Sequence, residues 1–444
     1  MGLQVIIVGA GIGGLAAAVA LRRAGHRVTV LEKYDSKSEV GFAVGVFPNA
    51  TRVLRSLEID FKQIRLSPWV GLNYARADLD PMELVADVGA AEGKVLSTDY
   101  GAPSCAAHRV DLHEALRDHA IRPEGTGPPA VIKGGCTVVN YNPQAGSVTL
   151  QDGAVLKADV IVAADGVKSK AHIAILGYEQ PAKLTRLSNI RFVLPTDKFK
   201  EIPELQLMPE AEKMPTFYRG ADPSRGLLRY PCRENTLQNF GLYEVSTDLP
   251  ADEEKWRTQT KKEIALERLK GFNNGLHEVV RRADEKDMYL WKVADRMPLP
   301  AWTKDKMTLL GDAAHPMQPT LGNGAAQSIE DAGVLGTLLE GVDDPTEVPE
   351  RLKLYEELRR PRASAVQLLS MSGNLYYRLS DEVQKVLRTF VAEEDFPVLT
   401  RPGANHFLFK FDCIEEARRV LGERYGRRTD SVQGFELYGN GHKA

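Results

Sequence analysis

The sequence predicts an α/β protein in which a mostly parallel sheet is interrupted by an inserted antiparallel domain. Three observations support this fold class. Residues 3–8, LQVIIV, form a short apolar run that ends at a glycine-rich turn, as buried strands that lead into a helix do. ADVIVAADG and KMTLLGDAAH are two further apolar runs, and each ends at an acidic turn. Between these two runs, residues 185–250 alternate apolar and polar positions in the manner of antiparallel strands.

The individual elements follow in an order that fits this fold class. A helix over IGGLAAAVALRRAG ends at Gly25, and HRVTVLEK is the next strand. Asp111 and Glu114 have the spacing of a capping box, which predicts that the helix LHEALRDHA begins after Asp111. Residues 252–284 have a helical pattern, and the chain is mostly helical beyond Pro349. The antiparallel strands are predicted at NIRFVLP, PTFYRG, GLLRYPC and LQNFGLYEV.

The parallel-sheet segments lie at both ends of the first 340 residues, so we expect domains that are discontinuous in sequence. A chain of 444 residues is also long enough to form more than one core. The predicted division is a parallel-sheet domain of residues 1–70, 100–182 and 290–375, an antiparallel-sheet domain of residues 71–99 and 183–289, and a C-terminal helical region of residues 376–444.

Composition argues against several classes of protein. The formal net charge is −3, which disfavours a general nucleic-acid or membrane-surface binder. The apolar start is too short to span a bilayer and does not read as a secretory signal, so we expect a cytoplasmic protein without a membrane span. No metal site is expected, because the histidines do not cluster at metal-ligand spacing and the four cysteines are scattered, at Cys105, Cys136, Cys232 and Cys413.

The first glycine-rich turn fits the G-x-G-x-x-G pattern of a dinucleotide-binding site. Gly9 permits a tight turn, Gly11 lets the backbone approach a pyrophosphate at the helix N-terminus, and Gly14 lets the helix pack closely on the strand. Glu32, followed by Lys33, ends the second strand, where a carboxylate can accept hydrogen bonds from a ribose diol. This acid disfavours a 2′-phosphate, but the motif alone does not distinguish NAD from FAD.

The two acidic turns favour FAD. Asp165 and Asp312 each end a predicted buried strand, where an acid can bind hydroxyl groups along an extended ligand, and FAD has a ribitol chain that NAD lacks. The next helix begins at a turn whose unpaired N–H groups and positive dipole end suit the negative charge of a reduced flavin. We therefore predict a ribitol contact at Asp312 and a contact of the flavin pyrimidine edge with Gly322, Asn323, Gly324 and Ala325.

Four segments resemble the single-component FAD-dependent aromatic monooxygenases, and the salicylate-hydroxylase-like branch in particular. They are GAGIGGLAAAVALRRAG, HRVDLHEAL, ADVIVAADGVKS and PLPAW…LLGDAAHPMQPTLGNGAAQSIEDA, and the resemblance runs from about residue 3 to 370. It implies a p-hydroxybenzoate-hydroxylase-like fold, with a Rossmann-like FAD-binding domain, an inserted antiparallel-sheet substrate domain and C-terminal helices. One departure is Asn323, which stands where the family commonly has glutamine.

The resemblance implies roles for further residues. Arg109 is implied to be a cationic partner of the FAD pyrophosphate, and the backbone near Gly45 and Val46 is implied to touch the flavin. Asp165 is implied to serve both FAD and a nicotinamide nucleotide. Since the sequence has no second G-x-G-x-x-G, NAD(P)H is expected to bind transiently, whereas FAD is expected to be held tightly without a covalent bond.

The predicted reaction is hydroxylation of an aromatic, phenolic small molecule. NAD(P)H would reduce the flavin, O2 would add at its C4a position, and the distal oxygen of the hydroperoxide would pass to an electron-rich carbon. A cation that stabilises the phenolate would help this transfer. Arg191 is the candidate, because strand alternation places it on the face opposite Ile190 and Phe192 and because family members carry an arginine at the matching place. Tyr230 is a second candidate, and Tyr218 is its rival.

Other functions stay open at this point. The same oxidant would epoxidise or dearomatise an indole or polyketide in secondary metabolism. A redox sensor or partner-binding flavoprotein is an alternative of another class, and an NAD-dependent dehydrogenase is a third. Monomer and homodimer are both compatible with the sequence. His315, Glu330 and Asp331 are predicted to be structural, because His315 lies in a turn and the two acids point about 100° apart on one helix.

Overall fold

The computed structural model describes residues 2–35, 41–85, 100–247, 256–372, 379–392 and 401–426, apart from the side chains of residues 401–404. The predicted segments that fall in the remaining stretches, such as residues 86–99 and 427–444, lie outside the described residues. The strands are β1 Gln4–Val8, β2 Arg27–Leu31, β3 Ala43–Val46, β4 Ser67–Pro68, β5 Asn73–Arg76, β6 Glu83–Leu84, β7 Cys105–His108, β8 Val131–Lys133, β9 Val138–Asn142, β10 Ser147–Leu150, β11 Val155–Lys157, β12 Val160–Ala163, β13 Lys183–Pro195, β14 Thr216–Arg219, β15 Arg225–Cys232, β16 Leu237–Val245, β17 Arg257–Gln259, β18 Tyr289–Asp295, β19 Thr303–Lys304 and β20 Met307–Leu309.

The α-helices are α1 Ile12–Arg23, α2 Pro48–Ser56, α3 Phe61–Ile64, α4 Arg109–Ile121, α5 Ala171–Leu176, α6 Thr196–Lys200, α7 Lys262–Arg268, α8 Asn274–Arg282, α9 Gly324–Leu339, α10 Val348–Ser370, α11 Asp381–Leu387, α12 Arg401–Phe409 and α13 Cys413–Tyr425. Short 3-10 turns lie at Gly311–Ala313 and Pro319–Leu321. No helix in the described ranges is both long and apolar enough to cross a membrane.

A six-stranded sheet in the order β19-β20-β12-β1-β2-β8 forms the centre of the larger core. Five of its strands are parallel, and β19 joins antiparallel at one edge. β12 is wholly buried, because apolar side chains of the surrounding helices pack against it, as is usual in parallel sheets. Helices α1 and α9 pack closely: a Cβ at Gly336 would lie 2.6 Å from the Cβ of Ala20.

An eight-stranded sheet in the order β17-β18-β13-β16-β15-β14-β5-β6 has a core of its own. Its neighbouring strands are antiparallel except for β14 and β5, which run parallel. Along β13, Ile190 and Phe192 point into this core, where Phe192 stacks on Phe240 with ring centroids 5.1 Å apart. The residue between them, Arg191, therefore faces the other side of the sheet. Because β18 extends this sheet to Asp295, we propose that the antiparallel domain ends after Asp295 rather than at residue 289.

Two local predictions were wrong. Helix α4 begins at Arg109, two residues before the predicted cap, and the Asp111 carboxylate instead accepts hydrogen bonds from Arg65 and Arg233 at 2.7 and 2.8 Å. Residues 252–284 are not one helical region in their described part, because Arg257–Gln259 pairs with β18 at the edge of the eight-stranded sheet. In both cases a partner from a distant segment overrides the local pattern.

Arg22 on α1 is a buried cation that binds backbone rather than a side chain. Its guanidinium donates to the carbonyl oxygens of five residues at the end of α4 and in the loop that follows, His119, Ala120, Arg122, Glu124 and Gly127. The C-terminal carbonyls of a helix attract positive charge, so this contact joins α1 to α4 and shapes the loop.

Candidate active site

A cavity of about 510 Å³ lies at the carboxyl ends of β1, β12 and β20 and extends to the eight-stranded sheet. Ligands of open parallel sheets bind at this edge, because the turns that leave the strands converge there. The turn after β1 contributes Gly11 and Gly13, the turn after β12 contributes Ala164 and Gly166, and the turn after β20 contributes Gly311 and Asp312.

The turn after β1 has the geometry that its glycines predict. Gly9 has a φ of +104°, in the left-handed region that favours glycine. A Cβ at Gly14 would lie 2.0 Å from the Gly9 carbonyl oxygen, whereas a Cβ at Gly11 would meet no protein atom within 4 Å. Gly11 thus presents bare backbone to the cavity. Gly9 and Gly14 lie behind it and shape the turn.

Glu32 and Lys33 lie beside this turn but do not line the cavity. The Glu32 carboxylate accepts hydrogen bonds from the backbone N–H of Ala10 at 2.8 Å and of Tyr34 at 3.1 Å. The ammonium group of Lys33 lies 4.7 Å from the centre of the Tyr34 ring. Glu32 is partly exposed, and its contact with a ribose stays a prediction.

Asp312 presents its carboxylate to the cavity. The backbone turns there at Gly311, whose φ is +64°. The Asp312 carboxylate makes no hydrogen bond to any other residue in the described part of the chain, and its surface is open to the cavity. Enclosure by the cavity walls raises the pKa of the Asp312 carboxyl, although His315, Arg109 and Arg296 oppose this shift. An acid held in this way suits a ligand that donates hydroxyl groups.

Asp165 is turned away from the cavity, which is lined by its neighbours Ala164 and Gly166. Its carboxylate accepts a hydrogen bond from the Tyr141 hydroxyl at 3.0 Å. Burial raises the pKa of the Asp165 carboxyl, and hydrogen bonds from Ser169 and Tyr141 partly offset the rise. In this structure the backbone of the second acidic turn, rather than its acid, lines the cavity.

The segment that begins α9 presents backbone to the cavity at Gly322, Gly324 and Ala325. Gly322 has a φ of +61°, and a Cβ at Gly45 would lie 3.3 Å from its carbonyl oxygen, so the two glycines approach closely. Asn323 is buried behind this wall, and its side-chain oxygen accepts a hydrogen bond from Asn49 at 3.1 Å. Val46 is fully buried behind Gly45.

Arg109 is the cation at this end of the cavity. Burial first, and repulsion from Arg191 second, lower the pKa of the Arg109 guanidinium to about 10, while Asp312 opposes the shift. Arg109 therefore stays charged at neutral pH, and it shares the cavity with the acid of the third turn.

The other end of the cavity is aromatic and includes Arg191 and Tyr230. Both side chains donate to the carbonyl oxygen of Ala43, Tyr230 at 2.8 Å. Tyr218 is instead fully buried in the core of the eight-stranded sheet, so Tyr230 is the tyrosine of this pair that reaches the cavity. The aromatic side chains of the wall are Phe42, Phe47, Trp69, Tyr243, Trp291 and Phe409.

Residues that were not predicted as site residues also contribute to this wall. Phe47 and Trp69 contact edge to face with ring centroids 5.4 Å apart, and Phe409 of α12 lies 5.3 Å from Phe47. Asn405, on the same helix as Phe409, also lines the cavity. None of these residues belongs to a motif, and an aromatic residue on a helix usually packs into a core.

Beneath the cofactor-side turns, two buried acids bind two buried arginines. Glu330 pairs with Arg359 and Arg362 at 2.7 Å each, and Asp331 pairs with Arg359 at 2.8 Å. Burial alone would raise the pKa of the Glu330 carboxyl, but Arg362 and Arg359 lower it to about 2. Asp331 also accepts hydrogen bonds from the Gly311 N–H at 3.0 Å and from His315 at 2.7 Å. The network thus fixes the turn that carries Asp312.

FAD fits the glycine-rich end of the cavity on three observations. A Cβ at Gly11 would meet no protein atom within 4 Å, Asp312 is unpaired within the described residues, and Arg109 supplies a positive charge in the same cavity. In the described ranges no group of three or more His, Cys, Asp or Glu side chains is arranged to hold a metal ion.

Comparison with known proteins agrees with this geometry. Residues 2–369 match a protein family described as "FAD binding domain". The chain is 36% identical over 433 residues to the FAD-dependent monooxygenase cfoG of Aspergillus candidus, with 96% of each chain covered. It is 30% identical to hispidin-3-hydroxylase of Neonothopanus nambi, with 89% of this chain and 96% of that protein covered.

Among solved structures, a salicylate hydroxylase–substrate complex matches with a TM-score of 0.66 and 25% identity, over 92% of this chain and 98% of that one. The chain therefore belongs to the FAD-binding family and is an FAD-dependent monooxygenase. The fold class and family expected from the sequence are confirmed, and an NAD-dependent dehydrogenase is excluded.

Proposed function

We propose that this monooxygenase uses NAD(P)H and O2 to hydroxylate a phenolic aromatic molecule, with Arg191 and Tyr230 at the substrate end of the cavity. The observation that carries this proposal is that the cation Arg191 lies in a wall rich in aromatic side chains, on the eight-stranded sheet. The names of hispidin-3-hydroxylase and salicylate hydroxylase, both similar to this chain, also point to aromatic substrates.

Arg191 is suited to a phenolate. One of its N–H groups is bound by the Ala43 carbonyl, which fixes the guanidinium, and the Phe42 ring lies 5.0 Å from its central carbon. A guanidinium has five N–H donors, so others are left for a ligand. Its charge favours the ionised form of a phenol, which is the more nucleophilic form, in the binding step and in the transition state alike.

Tyr230 acts as a neutral positioning group. Burial raises the pKa of its hydroxyl well above the ordinary value, with Arg191 opposing the shift, so it does not serve as a base near neutral pH. Its hydroxyl donates to the Ala43 carbonyl at 2.8 Å, and its oxygen also interacts with Arg191, so Tyr230 helps to orient that guanidinium. Tyr230 and Arg191 together hold the β3 backbone at Ala43, which itself lines the cavity.

When FAD is bound, it would supply the redox chemistry of the reaction: reduction by NAD(P)H, followed by activation of O2. Gly11, Arg109 and Asp312 would hold its phosphate and ribitol parts, and the backbone at Gly45, Gly322 and Gly324 would contact its ring. The aromatic wall excludes water from the site of oxygen transfer, since reactive oxygen would otherwise be lost as H2O2.

The test is a purification followed by a turnover assay. We expect a yellow protein with flavin absorbance, NAD(P)H oxidation that phenols accelerate, and a hydroxylated product detected by mass spectrometry. A flavoprotein that oxidises NAD(P)H at the same slow rate with every phenol, without product, would contradict this function and favour a redox sensor. We also propose a cytoplasmic monomer or homodimer, which cell fractionation and gel filtration would check.

A further inference from the structure

We propose that helix α12, Arg401–Phe409, is the substrate-recognition wall of the cavity and that the Asn405 side-chain amide hydrogen-bonds a second polar substituent of the aromatic substrate. This proposal rests on the function proposed above. It specifies the substrate as an aromatic molecule with polar groups at two edges, one held by Arg191 and the other by Asn405.

Asn405 and Phe409 lie on one face of the helix. They are four residues apart, which places them one above the other on an α-helix, and both line the cavity. Phe409 packs against Phe47 at 5.3 Å and against Tyr100 at 5.7 Å between ring centroids. The helix therefore contributes one aromatic ring, that of Phe409, and one amide, that of Asn405, to the cavity wall.

The side-chain amide of Asn405 is uncommitted within the described residues, unlike three other polar side chains that line the cavity. Gln318 donates to Asp295 at 2.7 Å, the Thr320 hydroxyl donates to the Ser370 carbonyl, and Tyr230 donates to the Ala43 carbonyl. No hydrogen bond joins the Asn405 side chain to another residue that the structure describes. An amide offers both a donor and an acceptor, so it suits a hydroxyl or carbonyl group of a ligand.

Two arginines dock the end of α12 on the rest of the protein. Arg362 donates to the carbonyl oxygens of Phe407 and Leu408 at 2.8 and 2.9 Å, and Arg52 of α2 donates to that of Phe409 at 2.8 Å. Positive charge at the C-terminal end of a helix is favourable, because the last carbonyls have no partner within the helix. Arg362 is itself held by Glu330. The position of Asn405 is thus fixed relative to the cofactor-side turns.

The place of α12 in the sequence also suits a role in specificity. The family match ends at residue 369, and α12 begins at Arg401. The flavin-side turns all lie within the matched part. A wall that stands outside the shared FAD-binding region can differ between enzymes without altering how the cofactor is held.

The experiment measures ligand binding to the FAD-loaded protein through the change in flavin absorbance. Two pairs of probes are used, para,para′-biphenol with para-phenylphenol and resorcinol with phenol, since each pair differs by one hydroxyl group. We expect the wild type to prefer the dihydroxy member of at least one pair. In Asn405→Leu this preference falls about tenfold, the effect of losing one hydrogen bond, while binding of the monohydroxy member and of FAD is unchanged. Lys410→Ala, exposed at the end of the same helix, is the control and keeps the preference.

A second variant tests the docking of the helix. Arg52→Met removes the contacts with the carbonyls of Phe409, Phe411 and Tyr100, and we expect severalfold weaker binding of the dihydroxy probe, with FAD affinity unchanged. Amide hydrogen exchange of residues 405–409 rises in the same variant. An unchanged preference in Asn405→Leu, or no preference in the wild type, overturns the proposal. A wild type whose flavin responds to none of the four phenols overturns the proposed function, and this proposal with it.

Discussion

The two ends of the cavity are built in different ways. The cofactor end presents mainly backbone, at Gly11, Gly45, Gly166, Gly322 and Gly324. The substrate end presents side chains, most of them aromatic, that come from strands, loops and a C-terminal helix far apart in the sequence. The first end depends on close approach between backbone segments, and the second on the packing of large groups. Substitutions at the two ends should therefore fail in different ways.

Gly14→Val should have the largest effect, because it adds a side chain where none fits. A Cβ at Gly14 would lie 2.0 Å from the Gly9 carbonyl oxygen, so the turn itself must move. We expect at least about a 100-fold loss of FAD affinity, which corresponds to roughly 2.7 kcal/mol, and a lower melting temperature of the apoprotein. Fluorescence titration with FAD and calorimetry of the apoprotein would measure both, and a variant that purifies yellow and melts like the wild type would contradict it.

Gly11→Ala separates binding from folding at the same turn. Gly11 has a φ of −72° and no protein atom within 4 Å of its Cβ position, so alanine is tolerated in the apoprotein. We expect an unchanged melting temperature without FAD and an FAD affinity about 10- to 100-fold lower, since the methyl group occupies the space where the pyrophosphate would lie. Equal FAD affinity in the two proteins would show that the cofactor does not approach Gly11.

Arg191→Met tests the substrate end. We expect kcat/KM for the phenolic substrate to fall about 10- to 100-fold, as the loss of a charged hydrogen bond does, while FAD affinity stays the same. Arg219→Met is a matched control on the same sheet, because Arg219 is exposed and does not line the cavity. Steady-state turnover and FAD titration of both variants would test this prediction. A loss of FAD affinity in Arg191→Met would place Arg191 at the cofactor end of the cavity instead.

Acid should first destabilise the region around His108, the buried last residue of β7 and the chain neighbour of Arg109, and only then the eight-stranded sheet. Burial lowers the pKa of His108 to about 4, with Arg233 adding to the effect and Asp111 opposing it. Since the unfolded chain binds this proton below about pH 6.5, the contribution of His108 is present above that pH and is lost as the pH falls toward 4, up to about 3 kcal/mol. We expect flavin release before exposure of the eight-stranded sheet, with His108→Gln reducing the pH dependence of unfolding. If both regions lost their protection from amide hydrogen exchange at the same pH, this order would be contradicted.

Tyr230→Phe should have the smallest effect. The substitution removes the hydroxyl that binds the Ala43 carbonyl and Arg191, both of which keep their contact with each other, so we expect a loss of about 1 kcal/mol in stability and a change of only a few-fold in KM. Tyr218→Phe lies in the core and should alter stability without any change in KM. A loss of turnover by Tyr230→Phe as large as that of Arg191→Met would assign the tyrosine a direct part in the reaction.

The difference between the two ends also explains what the sequence could predict. Gly9, Gly11 and Gly14 belong to one contiguous segment, and their effect on the backbone is local, so their positions follow from the pattern. The strand alternation around Arg191 is local as well. In contrast, Trp69 and Asn405 reach the cavity only because separate segments pack against each other, and no spacing within either segment predicts that contact.

Contacts between segments far apart in the sequence also explain which predictions were wrong and which were only partly right. Asp111 had the spacing of a helix cap, but Arg65 and Arg233 bind it more favourably. Asn323 occupies the predicted turn, yet its side chain points to Asn49 behind the cavity wall. The structural role predicted for Glu330 agrees with its buried ion pairs, although the identity of its partners required the placement of α10.

Arg22 lies inside the protein, yet it determines the shape of a stretch of outer surface. The loop that it organises, residues 122–127, is rich in glycine and charge, and its composition alone would suggest a flexible connector. A Cβ at Gly127 would lie 1.6 Å from the Arg22 carbonyl oxygen, so the loop rests directly on α1. An interior substitution at position 22 would therefore remodel an external epitope about one hundred residues away in the chain, and an antibody or protease specific for that loop would detect it.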